Sequence, residues 1–114
     1  MIKINQIIDN FDLEAYQDDK IKKISLKNYW GKKSKWTVLF FYPADFTFVC
    51  PTELGELADN YKEFKKMGVE ILSASTDTVY VHKAWHDQSP IIKKINFPML
   101  ADPTAKLAKY FGVY

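Results

Sequence analysis

The chain is poor in cysteine and has no long apolar run. Only one of its 114 residues is a cysteine, Cys50, which excludes an internal disulfide and any cysteine-only metal cluster. No apolar stretch approaches the roughly 20 residues that span a bilayer, and the opening MIKINQIIDNFDLEAYQDD has no basic head, apolar block and small-residue cleavage site. A cytoplasmic protein without a membrane partner is expected. Neither sign of charge dominates: 16 basic and 14 acidic residues are mixed along the chain and leave a net charge of +2, so nothing points to nucleic acid. The nearest basic run, Lys32, Lys33 and Lys35, reads as a solvated loop. Internal repeats, low-complexity segments and Pro/Gly/Ser-rich linkers are all missing. A composition of 47% hydrophobic and 26% charged residues suits a single globular domain over 1–114.

The pattern of elements is alternating. Residues 11–24 alternate loosely around QDDK, as in a hairpin or extended arm. Ser25 to Trp30 reads as a helical turn stopped by Gly31. The run WTVLFFY, Trp36 to Tyr42, is continuous and rich in β-formers, which predicts a strand buried on both faces. Leu54, Leu57, Ala58, Tyr61 and Phe64 then recur at helical spacing until Gly68. Val69 to Ser75 predicts a second strand. A helix capped by Asp77 follows and must break before Pro90. Phe97 to Ala101 predicts a short third strand, and Asp102, Pro103 and Gly112 bracket a last helix as N-cap, first residue and terminator. Strands and helices in this order imply a parallel α/β sheet.

Cys50 falls between the first buried strand and the helix that follows it. A free thiol with a pKa of about 8.5 is mostly protonated at neutral pH, and the thiolate is the nucleophile. The start of a helix supplies N–H groups and the positive end of the dipole, which favour the anion. With Thr47 as N-cap, Cys50 lies in the first turn, and the Thr47 hydroxyl can reach an oxygen of an incoming substrate. Pro43 and Pro51 lack N–H groups and stiffen the backbone on either side.

The spacing P-x-x-x-T-x-x-C, here Pro43, Thr47 and Cys50, resembles the signature of the peroxiredoxins. Together with STDTVYVHKAWH and FPMLADPT it resembles the typical two-cysteine branch, which includes the peroxidase subunit of alkyl hydroperoxide reductase. The resemblance implies an α/β, thioredoxin-like fold and a thiol peroxidase that reduces hydrogen peroxide and organic hydroperoxides without a cofactor or metal. It implies that Cys50 attacks the O–O bond and becomes a sulfenic acid, that Thr47 hydrogen-bonds the peroxide, that Pro43 shields the thiol, and that Glu53 holds an arginine. A thioredoxin-like or flavoprotein disulfide reductase is the implied recycling partner. A homodimer or ring of dimers is the implied assembly, with Phe46, Phe48, Val81 and Trp85 near its interface. Those four residues also suit a plain core.

Departures from the family pattern accompany the match. The chain holds no arginine and no second cysteine to resolve the sulfenic acid. The fold implied is incomplete at the C-terminus, with the last family strands and helix absent, so the 114 residues read as the N-terminal portion of a longer peroxiredoxin domain. One missing strand pairs in the family with the strand over Trp36 to Tyr42, which leaves an open edge here. The segment Ile91 to Phe97 has no Gly-Gly-Leu-Gly insertion, as in bacterial or archaeal relatives that resist over-oxidation. His82 and His86 lie four apart on one helix face with Asp87 adjacent, a spacing that suits zinc, yet no third ligand is evident and a structural role is the expectation. The rival reading is a catalytically weak fragment, or a non-catalytic assembly or holdase-like subunit in which Cys50 is unused. A disulfide oxidoreductase needs C-x-x-C, and the chain has CPTE in its place.

Overall fold

A computed structural model of the chain describes residues 3–29, 36–43 and 50–113, with the backbone alone at Cys50 and Pro51. The chain opens with a hairpin of β1 (Asp12–Gln17) and β2 (Lys20–Ser25). Gln17 pairs with Lys20, so the loop is only Asp18 and Asp19, and both have positive φ, 52° and 63°. That is the backbone of a two-residue loop whose twist matches its strands, and aspartate is among the few side chains that tolerate it. A 3-10 turn, Leu26–Tyr29, follows where a helical turn was expected.

The remaining elements are β3 (Trp36–Phe41), α1 (Cys50–Asp59), α2 (Tyr61–Lys66), β4 (Val69–Ser75), α3 (Val79–Gln88), a 3-10 turn at Ile92–Lys94, β5 (Met99–Ala101) and α4 (Lys106–Phe111). The sheet runs in the order β2-β1-β5-β4-β3. β3, β4 and β5 are mutually parallel, whereas β1 is antiparallel to both β2 and β5. The sheet is therefore mixed, and only its half nearest β3 has the expected parallel form.

Alternation along β4 explains the layers. Ile71 joins a core of Tyr16, Tyr42, Leu54, Tyr61, Trp85 and Phe97 on one face of the sheet, while Leu72 and Ala74 join Leu13, Ile24, Leu26, Leu100 and Leu107 on the other. α1 and α3 cover the first face through Leu54 and Trp85, and α4 covers the second through Leu107.

Four expectations need correction. β3 is not buried on both faces: Trp36 is 70% exposed and Val38 38%. Among the described residues it pairs only with β4 and ends the sheet, the open edge that the resemblance implied; the apolar composition of the strand does not report that edge. The helical run after Cys50 divides at Asn60, whose side-chain amide donates to the Glu56 carbonyl at 2.9 Å and competes for a helix acceptor. Thr78, not Asp77, caps α3, its hydroxyl accepting from the Val81 N–H at 3.4 Å. Asp102 does not directly precede α4, because Pro103 and Thr104 form a turn and Ala105 takes a left-handed φ of 58°. The expected cap works from further away: the buried Asp102 carboxylate accepts the N–H groups of Leu107 at 3.1 Å and Ala108 at 3.0 Å. Gly112 ends α4 with φ 73°, as expected. Among the described residues no helix is long and apolar enough to cross a membrane.

Candidate active site

The parallel strands β3, β4 and β5 all point their carboxyl ends to the same side of the sheet, the side on which open α/β sheets hold ligands. A cleft of about 550 Å³ opens there between Tyr42 and Pro43 after β3, Ser75 and Thr76 at the end of β4, and Asp102 after β5, with Val113 at its rim. Its floor is fixed by main-chain bonds. The Tyr42 N–H donates to Ala74 at 3.1 Å and the Asp102 N–H to Ser75 at 2.9 Å, so the three strand ends are tied laterally.

Pro43 is exposed at this end of β3, where among the described residues the register with β4 ends at Phe41, so its missing N–H breaks no bond of that ladder. Cys50 is the first described residue of α1, and the start of a helix carries orphan N–H groups and the positive dipole end. Glu53 is exposed in that same turn. Thr47, Phe46 and Phe48 lie outside the described residues.

α1 is anchored by Leu54, which is fully buried, and by its approach to the turn before β5. Gly55 permits that approach, since a Cβ there would meet the Ile91 Cγ2 methyl at 2.6 Å. Nothing in the sequence around Gly55 marked it, because the contact joins segments far apart in the chain. Of the expected interface residues, Val81 is half-buried on α3, while Trp85 is 3% exposed and packs on Tyr42 with ring centroids 5.8 Å apart. The surface expected of Trp85 is thus taken up within its own chain, and the core reading suits it.

The two histidines of α3 do not form a pair. The His82 ring is fully buried with Nε2 2.8 Å from the Leu100 carbonyl, so it ties α3 to β5. His86 instead reaches the Ile95 carbonyl, Nε2 to O 3.1 Å.

Comparison with known proteins gives a consistent result. The profile described as the AhpC/TSA family matches residues 4–114. Alkyl hydroperoxide reductase C of Salmonella typhimurium is 48% identical over 111 residues, covering 97% of this chain and 58% of that protein. The protein of the same name from Staphylococcus aureus is 44% identical over 115 residues, with 99% and 59% covered. Among solved structures, AhpC of Enterococcus faecalis superposes with a TM-score of 0.92 at 47% identity, covering 99% of this chain and 66% of that one. The reduced 2-Cys peroxiredoxin of Plasmodium vivax gives a TM-score of 0.85 at 35% identity, covering 93% and 66%. The sheet and its helices thus have the thioredoxin-like arrangement of peroxiredoxins, and the chain spans less than two thirds of the length of these relatives. Matched along nearly its whole length, the chain belongs to the AhpC/TSA family.

Proposed function

We propose that the chain carries the peroxide-reacting half of a thiol peroxidase, with Cys50 as its nucleophile. The observation that carries this reading is the position of Cys50 at the start of the described part of α1, in a chain whose relatives bear the name alkyl hydroperoxide reductase C. A helix start offers N–H groups and a positive dipole end to an anion, which is what a reacting thiolate needs.

In the proposed step the Cys50 thiolate attacks one peroxide oxygen, an S–O bond forms and the O–O bond breaks. The displaced alkoxide or hydroxide takes a proton and leaves as alcohol or water. Sulfur is oxidised by two electrons to the sulfenic acid and the peroxide is reduced by the same two. Thr47 donates a hydrogen bond to the peroxide, Pro43 limits water at the sulfur, and Glu53 is the carboxylate that holds an arginine. Return to the thiol takes two electrons from outside: an external thiol condenses with the sulfenic acid to give a mixed disulfide and water, and a thioredoxin-like or flavoprotein disulfide reductase then frees the Cys50 thiol. A cytoplasmic location and assembly into dimers or rings complete the proposal.

The test is the intact mass of the reduced chain after a few seconds with stoichiometric hydrogen peroxide and a sulfenic-acid trap. Trapping on Cys50 at a rate far above that of an ordinary thiol, absent in Cys50→Ser, is the expected result. A free thiol after that time overturns the reading in favour of a subunit that acts through assembly.

A further inference from the structure

A second cleft, of about 460 Å³, lies between the β1–β2 loop and the carboxyl end of α3, lined by Asp18, Asp19, His86, Asp87, Lys93 and Asn96. A ring nitrogen of His86 and one carboxylate oxygen each from Asp19 and Asp87 lie within 4.8 Å of one another. Each of the three side chains is held by a further contact. The Tyr16 hydroxyl donates to Asp19 Oδ1 at 3.0 Å, and the Lys83 ammonium donates to Asp87 Oδ2 at 2.7 Å. The Tyr16 ring also stands edge-on to the His86 ring, with centroids 5.1 Å apart at 61°.

The hydrogen bonding of His86 fixes its tautomer. Nε2 is 3.1 Å from the Ile95 carbonyl, and a carbonyl only accepts, so Nε2 carries the proton. The lone pair of the neutral ring therefore stands on Nδ1. That atom is buried and has no hydrogen-bond partner among the described residues. A buried acceptor without a donor is costly, and native structures rarely keep one without a use.

We propose that Asp19, His86 and Asp87 form a binding site for a divalent first-row transition-metal ion of the zinc class, which clips the hairpin loop to α3. One imidazole and two carboxylates with an open fourth position suit such an ion, whereas calcium and magnesium favour all-oxygen sites. An imidazole whose other nitrogen donates to a main-chain carbonyl, beside carboxylates that are themselves hydrogen-bonded, is the support that metal ligands ordinarily have. Ligands at about 2.0–2.2 Å from zinc need their donor atoms somewhat closer together than they stand here. Asp19 and Asp87 are both exposed and can turn inward by rotation about their side-chain bonds. The ion also relieves repulsion between the two carboxylates, and in the proposed site Nδ1 is the imidazole donor. Lys83 competes for Asp87, so the site is weaker than a closed structural zinc site.

The test is calorimetric titration of Zn²⁺ into the Cys50→Ser chain, which removes the thiolate as a rival ligand, with thermal unfolding in parallel. One ion per chain is expected, with a rise in unfolding temperature that follows zinc concentration. Asp19→Asn and Asp87→Asn each weaken binding at least tenfold and abolish the rise. Both change exposed carboxylates, and asparagine tolerates the positive φ at position 19, so circular dichroism of the variants stays native. His86→Gln gives the same loss. Binding that survives unchanged in Asp19→Asn and Asp87→Asn, or no saturable binding in Cys50→Ser, overturns the proposal.

Discussion

Gly55 stands so close to Ile91 that a Cβ at position 55 would lie 2.6 Å from the Ile91 Cγ2 methyl. In an unobstructed helix interior, glycine to alanine gains about 1 kcal/mol. Here the methyl must push Ile91 aside, and with it the chain that leads into Ile92, a fully buried core residue. Gly55→Ala is therefore expected to give no gain in stability, or a loss, in urea denaturation. Adding Ile91→Ala, at a position already 39% exposed, is expected to restore most of the missing gain. Equal effects of Gly55→Ala with and without Ile91→Ala sink the explanation.

Asp102 is the joint between the cleft and α4. Its carboxylate is 2% exposed and accepts two helix N–H groups, from Leu107 and Ala108. Hydrogen bonds to a charged group contribute about 1.5–3 kcal/mol each, and a cap about 1 kcal/mol. Asp102→Ala leaves both donors buried without a partner, and a loss of about 2–4 kcal/mol is expected from the urea midpoint. Asp102→Asn keeps one acceptor oxygen and is expected to lose about half as much. A loss under about 1 kcal/mol for Asp102→Ala means that α4 does not depend on this contact.

What the sequence disclosed was mostly local. β4 begins and ends where VEILSAS does, the hairpin falls on residues 12–25, and the helix of TVYVHKAWHDQ stops before Pro90. Each of these is fixed by contacts between near neighbours or by the backbone limits of proline. What it concealed depends on order in space. The open edge of β3 was expected from the family resemblance, but not that it leaves Trp36 and Val38 exposed, and the remote cap by Asp102 follows from the turn at Pro103 and Ala105. The same division runs through the sites. The place of Cys50 between a strand and a helix was legible from the residues beside it, whereas Asp19 and His86 meet only because the β1–β2 loop lies against α3.

Tyr61 ties stability to alkaline pH. Burial first, then the hydrogen bond to Glu70, holds its hydroxyl well above the ordinary tyrosine value. The unfolded chain therefore gives up this proton near pH 10, while the folded chain still holds it. The stabilisation is complete below about pH 10 and is lost as pH rises toward the folded value. In Tyr61→Phe the fall in urea midpoint between about pH 9 and pH 11 is expected to be smaller than in the parent chain. Some fall remains, because burial also raises Tyr29, and burial with a bond to Asp19 pushes Tyr16 up to about 12. At neutral pH the order reverses: Tyr61→Phe is less stable by about 1 kcal/mol, since Glu70 loses a donor. Parallel pH profiles for the two proteins contradict the assignment.

Thr47 lies between Pro43 and Cys50, and its proposed work is on the peroxide, not on the sulfur. A hydroxyl that donates to an oxygen gaining charge is worth about 1.5–3 kcal/mol in the transition state, so Thr47→Val is expected to slow oxidation of Cys50 by roughly 10- to 150-fold. Alkylation of the same thiol by iodoacetamide has no oxygen to bind at that point and is expected to change little. Thr47→Ser keeps the donor and recovers most of the peroxide rate. The comparison separates two uses of one hydroxyl. Loss of both rates together in Thr47→Val means that the hydroxyl sustains the thiolate itself, through its charge or its place at the helix start, and the role proposed here for Thr47 is then wrong.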